Sequence, residues 1–483
     1  ALGKEGDQLG ALVSPNASIE EMYLLQKLCR GVGTNHIDHR LRQTDFDDQD
    51  AMPLSPGLSG SVADIGDQQT IFLVGSDLRQ AQPILAWKCR KAQLAGARLF
   101  AINPYRVDYN FTLERNCTIN LNAMPKVLGK LLKAALKVSG KTHALSSQVE
   151  KLDDCSQAAN LASALIDAEK AAIIVGTMAM HHPNASEIRA LCHAIADVTG
   201  ASVNALTDGA NARGAWLSGC VPHRGAMGAT LETSGLDAQA MLKAKLNAYL
   251  LQGLEPGLDC ANSFLAKEAL AQADCVIAMS AFVTDELKAV ADVILPIASL
   301  GETAGTFVNA AGVWQSFAGV VPPKGEARPA WKVLRVLANF LKIKDFDYTS
   351  PQDVLAALKA EEKPFDNTYD YQPASITQPD NSLMRVGPVP LYRADMLARF
   401  APALQARFDM DDCGGVGISQ ATADSLGVRA DQNIQLKQQG AVMSLPVRID
   451  PRVPDNSFMI ASALAETVGL GNAFGDIEVV GTR

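Results

Sequence analysis

The sequence has no closely spaced cysteines. Its nine cysteines are scattered, and the closest two, Cys260 and Cys275, are fifteen residues apart. An iron–sulfur cluster or a structural zinc usually draws several thiolates from one loop, often at Cys-x-x-Cys spacing. The spacing argues against such a centre, and we interpret these cysteines as reduced thiols packed as small hydrophobic side chains.

Long apolar runs and basic clusters are also missing. No stretch approaches about 18 uninterrupted apolar residues, and the N-terminus has no signal-peptide pattern. The net charge is −9, and no run of Lys and Arg alternates with aromatic residues as in nucleic-acid-binding surfaces. We expect no direct membrane insertion and no nucleic-acid partner. Since the chain opens at Ala1, we expect it to be part of a longer polypeptide.

What is present is the pattern of a doubly wound α/β protein. Hydrophobic residues make up 48% of the 483 positions, which is enough for several packed domains. Short, continuously apolar segments predict parallel strands buried on both faces, and amphipathic stretches between them predict crossover helices. Strands are predicted at residues 70–75, 97–102, 171–176, 248–252 and 275–279, and helices at 80–95 and 185–198.

The predicted domain organisation is discontinuous. We assign residues 1–45 together with 200–335 to a first α/β domain, and residues 46–199 to a second. Residues 336–388 are rich in Pro, Asp, Asn, Ser and Thr and predict a linker. Residues 389–483 contain short alternating segments between Gly, Asp and Pro turns, which predict a C-terminal β-barrel.

Several motifs occur in the order found in one enzyme family. They are Tyr23 in an acidic helix start, the turn Gly33-Thr-Asn, then Gly75-Ser-Asp, Asn103-Pro, Gly209-Ala-Asn, Gly253-Leu-Glu and Gly305-Thr-Phe-Val-Asn. In this order the sequence resembles the molybdopterin oxidoreductases, which include formate dehydrogenases and nitrate reductases. The resemblance implies the formate dehydrogenase and DMSO reductase-like fold, with doubly wound domains and a C-terminal barrel.

The resemblance also assigns a cofactor pocket. Glycines after strands let backbone N–H groups approach a pyrophosphate, and small polar side chains contact a pterin or a guanine. We expect the corresponding pocket to be vestigial, with no confident cofactor ligand. Its predicted positions are Gly75, Ser76, Asp77, Asn103, Gly209, Asn211, Gly253 and Glu255.

The metal-ligand position carries an unsuitable residue. In the family, the Cys, selenocysteine or Ser six positions after the turn aspartate binds molybdenum, and a proton-handling His often follows. Counting from Asp38 leads to Thr44 and then Asp45. A hydroxyl is a poor ligand for this metal, and a carboxylate adds charge to an anionic centre. We therefore expect degenerate positions at Thr44 and Asp45, with no metal, no cofactor and no catalytic residue in this chain.

Other family positions differ in the same direction. Trp216 stands where the family has a Cys, so a bulky indole would crowd the pterin pocket. Tyr105 stands where an Arg is usual, and Asn103 replaces a carboxylate that grips guanine N–H groups. These differences concentrate at positions that contact the cofactor in the family, which favours a site without catalytic activity.

Within the superfamily, the sequence is most similar to a branch that keeps the fold without molybdenum, the large iron–sulfur subunits (G subunits) of respiratory complex I. The similarity lies in Tyr23-Leu-Leu-Gln-Lys-Leu-x-Arg30, in residues 37–43, in Leu391-Tyr-Arg-Ala-Asp395 and in residues 399–405. It implies a structural and docking role beside the NADH-oxidising flavoprotein and the cluster-bearing subunits, on the cytoplasmic side of the inner membrane. The 2Fe–2S and 4Fe–4S clusters are expected in an N-terminal part outside this chain.

Two alternatives stay open at this point. One is an active molybdenum or tungsten oxidoreductase that uses Thr44 or an unusual ligand, and the other is a sensor with a nucleotide-filled pocket. His36 and His39 flank Asp38, but the local sequence offers no third metal ligand, so we expect structural roles for both.

Overall fold

The computed structural model describes residues 6–406 and 413–482. The strands in it are β1 (Leu9–Val13), β2 (Ile37–Asp38), β3 (Thr70–Val74), β4 (Arg98–Asn103), β5 (Arg115–Thr118), β6 (Ala171–Val175), β7 (Ser202–Ala205), β8 (Ala248–Gln252), β9 (Cys275–Ser280), β10 (Val293–Pro296), β11 (Gly305–Val308), β12 (Trp314–Phe317), β13 (Met384–Val386), β14 (Val416–Ile418), β15 (Asn433–Gln438), β16 (Ala441–Ile449), β17 (Ser457–Met459), β18 (Phe474–Asp476) and β19 (Glu478–Thr482). The α-helices are α1 (Ile19–Gly31), α2 (Leu78–Ala81), α3 (Pro83–Leu94), α4 (Met124–Ser139), α5 (Ser146–Val149), α6 (Ser156–Asp167), α7 (Thr177–Met180), α8 (Ala185–Thr199), α9 (Ala212–Ser218), α10 (Ala238–Ala244), α11 (Pro256–Asp259), α12 (Ser263–Gln272), α13 (Asp285–Val290), α14 (Ala330–Phe340), α15 (Pro351–Ala360), α16 (Met396–Arg399), α17 (Pro402–Gln405) and α18 (Gln420–Leu426).

Two parallel sheets form the α/β part of the molecule. Sheet A has the order β10-β9-β8-β1-β2, and sheet B has the order β5-β4-β3-β6-β7. In each sheet the earliest strand lies inside, and the chain then builds outward on both sides of it. Each sheet therefore has one topological switch point, between β1 and β8 in sheet A and between β3 and β6 in sheet B, where ligands of open α/β folds normally bind.

Both sheets are covered by helices on two faces. In sheet B, Phe72 and Val74 pack toward α4, α6 and α8, while Ile71 and Leu73 pack toward α3. In sheet A, Leu9, Ala11 and Val13 pack toward α1, and Leu12 packs toward α10 and α12. Burial on both faces explains why the strands are continuously apolar. Among the described residues, no helix is long and apolar enough to cross a bilayer.

The C-terminal sheet has seven strands in the order β18-β13-β17-β14-β16-β15-β19. Its two edge strands, β18 and β19, are joined by the single residue Ile477. Since one residue connects the two edges, the sheet must curl round until they meet. Val416, Ile434 and Phe458 are buried inside this barrel. The α/β fold with a C-terminal barrel is thus as expected from the sequence.

The segment predicted as a linker contains regular structure. Helix α14 continues to Phe340, and α15 lies wholly within residues 336–388. A capping box between Ser350 and Asp353 begins α15, and its apolar side chains Val354 and Leu358 are fully buried in the core around α1. The composition of the segment did not predict this helix, because only two of its side chains, Val354 and Leu358, are fully buried.

One predicted helix is divided. Residues 80–95 form the end of α2 and the whole of α3, because Pro83 has no N–H and restricts the residue before it, Gln82, to an extended conformation. The helix predicted at 185–198 matches α8, and the five strands predicted in the α/β part match β3, β4, β6, β8 and β9 to within one residue.

Candidate functional site

A crevice of about 270 Å³ lies between the carboxyl edges of the two sheets. Residues 14–16 after β1 and 39–43 after β2 form one wall. Met180 and His181, with residues 207–209 after β7, form the facing wall from sheet B. Leu391, Ala394 and Asp395, which precede α16, reach its mouth. The crevice therefore lies at the switch point of sheet A, where the fold places a ligand.

The switch point of sheet B is closed by its own backbone. Gly75 adopts a φ of +57°, and a Cβ there would lie 2.5 Å from the Ala179 nitrogen. A Cβ on Gly176 would lie 2.4 Å from the Gly75 carbonyl oxygen. The glycines after β3 and β6 thus allow the two loops and α7 to touch each other, and they leave no room for a pyrophosphate between them.

The predicted polar positions beside Gly75 bind one another. The Ser76 N–H donates to Asn103 Oδ1 at 2.7 Å, and Asn103 Nδ2 donates to the Tyr109 hydroxyl at 3.0 Å. Asp77 caps α2 by accepting from the Gln80 N–H, and burial raises the pKa of its carboxyl. Ser76 and Asn103 are fully buried, so these groups hold the loop together and do not line the crevice.

Glu255 takes part in a buried ion-pair cluster. The Arg399 guanidinium lies 3.0 Å from Glu255 and 2.8 Å from Asp259, and Arg42 lies 3.1 Å from the same aspartate. Burial raises the pKa of Glu255, although the charge of Arg399 acts against this shift. Gly253, with φ of +67°, turns the chain after β8 toward this cluster. The cluster therefore combines two positively charged arginines with two carboxyl groups, so that their charges can compensate one another.

Of the eight predicted cofactor positions, Gly209 alone lines the crevice. Asn211, two residues later, is fully buried: its Nδ2 donates to the Ala17 carbonyl at 2.8 Å and its Oδ1 accepts from the Val308 N–H at 2.7 Å. Asn211 therefore joins α9 to the start of α1 and to β11. The amide of Asn211 thus holds neighbouring elements of the fold together.

Thr44 and Asp45 lie outside the crevice, on a second cavity of about 500 Å³ between α8, α10 and residues 371–377. Asp45 Oδ2 accepts from the Ser186 N–H at 2.8 Å and from the Ser186 hydroxyl at 2.6 Å. These bonds satisfy a free N–H in the first turn of α8, as a cap does. Thr44 Oγ1 is buried and has no hydrogen-bond partner among the described residues.

Trp216 fills one side of the crevice. The Arg40 guanidinium lies 5.2 Å from the centre of its ring, and His39 meets the ring edge-on at 5.9 Å. Arg40 uses its Nε and Nη2 on Asp38, at 2.9 and 2.8 Å. Its Nη1 is buried without a partner in the described part of the chain. Among the described residues that line the crevice, this nitrogen is the one buried side-chain donor left unused.

The histidines of the loops have structural partners. His39 Nδ1 lies 2.8 Å from the Cys220 carbonyl oxygen, and burial lowers the pKa of His39 to about 4. His181 lies 2.5 Å from Asp208. Burial by itself would raise the pKa of that aspartate, but the charge and hydrogen bond of His181 together with the charges of Arg42 and His39 lower it to about 2. Within residues 6–406 and 413–482, no group of three His, Cys, Asp or Glu side chains is placed to hold a metal ion.

The residues present do not suit a pterin dinucleotide. Pockets for drug-sized ligands measure roughly 300–1,000 Å³, and the crevice is smaller than this. The indole of Trp216 and the segment before α16 occupy its sides and mouth, and no cysteine lines it among the described residues. Among the described residues that line it, Arg40 Nη1, near the Trp216 ring, is the buried donor without a hydrogen-bond acceptor.

The segment around α16 is a functional element that the motifs alone did not place. Asp395 accepts from Asn16 Nδ2 at 2.9 Å, which ties this segment to the loop after β1. Arg399 then enters the cluster with Glu255 and Asp259. Asp395 and Arg399 were both part of motifs noted in the sequence. Their partners could not be foreseen, because they lie more than 130 residues away along the chain.

Two doubly wound sheets facing one crevice, with a barrel beside it, define a large α/β fold of several domains. Acetylene hydratase from Pelobacter acetylenicus has this fold, with a TM-score of 0.64 over 98% of the chain and 86% of that protein, at 14% identity. The chain belongs to the molybdopterin oxidoreductase family, which it matches over residues 2–340.

Named relatives come from several branches of the family. The chain is 25% identical over 410 residues to the F420-dependent formate dehydrogenase subunit alpha of Methanocaldococcus jannaschii, covering 73% of the chain and 60% of that protein. It is 24% identical to the assimilatory nitrate reductase catalytic subunit of Bacillus subtilis, covering 73% and 58%. It is 25% identical to the G 2 subunit of the NADH-quinone oxidoreductase of Rhizobium meliloti, covering 67% and 42%. The chain thus spans 60% or less of each of these relatives.

Proposed function

We propose that this chain is the molybdopterin-oxidoreductase-like part of the large iron–sulfur subunit, the G subunit, of a proton-pumping NADH:quinone oxidoreductase. In this role it supports electron transfer from NADH to quinone as a structural and docking element and binds no molybdenum. The observation that carries the proposal is the cluster of Arg399 with Glu255 and Asp259, which fastens a segment of the chain itself over the switch point of sheet A.

The motif content supports this branch over the catalytic ones. Residues 391–395 and 399–405 resemble the G subunits of complex I, and the first of these segments reaches the mouth of the crevice. Thr44 and Asp45 stand at the metal-ligand and proton-handling positions of the family, and Asp45 is already used to cap α8. A G subunit of the NADH-quinone oxidoreductase of Rhizobium meliloti is among the relatives at 25% identity, in line with this resemblance.

The proposal carries further parts. The partners would be the NADH-oxidising flavoprotein and the cluster-bearing subunits of the peripheral arm, with 2Fe–2S and 4Fe–4S clusters in an N-terminal part of the same polypeptide. The location would be peripheral, on the cytoplasmic side of the inner membrane. The chain itself would hold no cofactor.

The test is purification of the native polypeptide from its host. We expect it to migrate with NADH-oxidising activity on a native gel and to contain less than about a tenth of a molybdenum atom per chain. Pterin fluorescence after acid oxidation should be absent. A stoichiometric pterin, or migration apart from NADH oxidation, would contradict the proposal.

An active molybdopterin oxidoreductase is the second candidate. The similarity to the Methanocaldococcus formate dehydrogenase favours it, as does the buried Thr44 Oγ1, which has no partner among the described residues. The chain would then need to acquire metal in a host that synthesises the cofactor. Stoichiometric molybdenum that disappears in a Thr44→Val variant, while the fold is kept, would establish this candidate and remove the first.

A further inference from the structure

Helix α3 is apolar on its outer face as well as on its inner face. The inner residues Leu85, Ala86, Cys89 and Ala92 are buried against sheet B. On the outer face, Ile84 is 66% exposed, Trp87 is 56% exposed and Leu94 is 72% exposed. Large apolar side chains that are exposed together on one face often mark an interaction site. Sheet B supplies one cover, and the described chain supplies none on the outside.

The outer residues form one continuous stripe. Ile84, Trp87, Lys91 and Leu94 are spaced by three, four and three positions, so they lie within an arc of about 80° on a helix of 3.6 residues per turn. The stripe is therefore a single surface nearly three turns long, of the kind that inserts into a groove of a partner.

This surface is positively charged in an acidic protein. The net charge of the chain is −9, yet α3 carries Lys88, Arg90 and Lys91 and no acidic residue. The Lys88 ammonium lies 4.7 Å from the centre of the Trp87 ring. Lys91 is paired with Asp67 at 3.6 Å, but both side chains are more than half exposed, so the pair is weak. A complementary surface must combine an apolar groove with carboxylates.

We propose that the outer face of α3 (Ile84, Trp87, Lys88, Lys91 and Leu94) is the docking surface for a protein partner with an apolar groove rimmed by Asp and Glu. Tryptophan in the middle of such a stripe is the residue type that most often dominates binding energy at interfaces. A protein fits better than an anionic bilayer, because a groove contacts only the basic helix, whereas an extended anionic surface would also face the rest of a chain with a net charge of −9. The inference shares with the proposed function the premise that the chain works in a larger assembly, and it stands whichever assembly that is.

The test compares the native polypeptide in its host assembly with the isolated chain. Acetylation by a lysine-reactive reagent should be at least about tenfold slower at Lys88 and Lys91 in the assembly, while Lys332 on α14 reacts equally in both. The double variant Trp87→Ser with Lys88→Glu should lower the assembled fraction at least about tenfold. The matched control on α14 is Phe340→Ser with Lys332→Glu, since Phe340 is 81% exposed.

Each outcome decides one question. Protection in an assembly that oxidises NADH supports both proposals, whereas protection in one that does not supports the docking surface and removes the proposed function. Equal labelling in the assembly, a native chain found only as a monomer, or full protection in the native polypeptide purified away from its partners overturns the docking surface. Protection of the isolated chain by phosphatidylglycerol vesicles alone assigns the face to a membrane, and concentration-dependent self-protection assigns it to a second copy; either result overturns an acidic protein partner.

Discussion

The Arg399 guanidinium donates two hydrogen bonds to the Asp259 carboxylate, at 3.0 and 2.8 Å, across 140 residues of sequence. Both side chains are almost fully buried, and Glu255 completes the contact at 3.0 Å. This relationship fastens the segment around α16 to the carboxyl edge of sheet A. The contact holds the segment that precedes α16 at the mouth of the crevice.

Replacing Arg399 should destabilise the protein strongly. Arg399→Ala leaves Glu255 and Asp259 buried without their main counter-charge, and removal of one partner from a buried ion pair costs about 3–5 kcal/mol of unfolding free energy. Urea denaturation measures the loss. The control is Lys437→Ala, whose pair with Glu478 is exposed, and it should cost less than about 1 kcal/mol. Equal losses of unfolding free energy in the two variants would contradict a stabilising role for the buried ion pairs of Arg399.

Asp45 should prove to be a helix cap. Asp45→Ala removes the acceptor of the Ser186 N–H and hydroxyl, and the expected cost is about 1–2 kcal/mol of unfolding free energy. Asp45→Asn keeps an acceptor and should recover a good part of this loss. The exposed neighbour Asp47 provides the control Asp47→Ala. A loss of stability in Asp45→Asn as large as that in Asp45→Ala would show that charge, and not capping, is what matters at this position.

Glu21 should make the stability depend on pH. Burial raises the pKa of its carboxyl from 4.5 to about 7, and the nearby Glu20 adds to the shift. Between these values the folded chain binds the proton more tightly than the unfolded chain, so the free energy of unfolding falls as pH rises from about 4.5 to 7.

Glu21→Gln should remove this contribution. Glutamine keeps the capping box with Ser18, because its side-chain oxygen still accepts from the Ser18 N–H. The variant should match the native protein near pH 4 and exceed it at pH 8 by up to roughly 3 kcal/mol. Chemical denaturation at several pH values gives both curves, and parallel curves would show that the Glu21 carboxyl does not titrate in this range.

Gly75 should be required by packing and not by a ligand. In Gly75→Ala, the new Cβ would lie 2.5 Å from the Ala179 nitrogen in a left-handed backbone conformation, with an expected cost of roughly 2–4 kcal/mol. Gly140→Ala has a similar positive φ with nothing within 4 Å, so it should cost only about 1–2 kcal/mol. Thermal unfolding of the ligand-free variants measures both losses; equal losses would show that the close approach of Ala179 does not require a glycine at position 75.

The sequence alone predicted those elements that are defined by a local pattern of apolar residues. Residues 70–75, 171–176 and 248–252 are predominantly apolar, and this pattern belongs to parallel strands buried on both faces. The pattern of α15 was too narrow to detect: Val354 and Leu358 are its fully buried side chains, and their partners lie on α1, more than 300 residues earlier. The many polar residues of this segment therefore predicted a linker, although a short helix lies within it.

By itself the sequence determined the family and five strands of the α/β part, and it showed that Thr44 and Trp216 stand at two ligand positions of that family, because each is a property of residue type and spacing along the chain. The tertiary structure decided which groups fill the crevice. Arg399, Asp259 and Asn16 are far apart in sequence, and only the folding of the segment around α16 onto sheet A brings their charges and hydrogen bonds together. Long-range pairing of this kind leaves no periodic trace, since any arginine in the segment would produce the same local pattern.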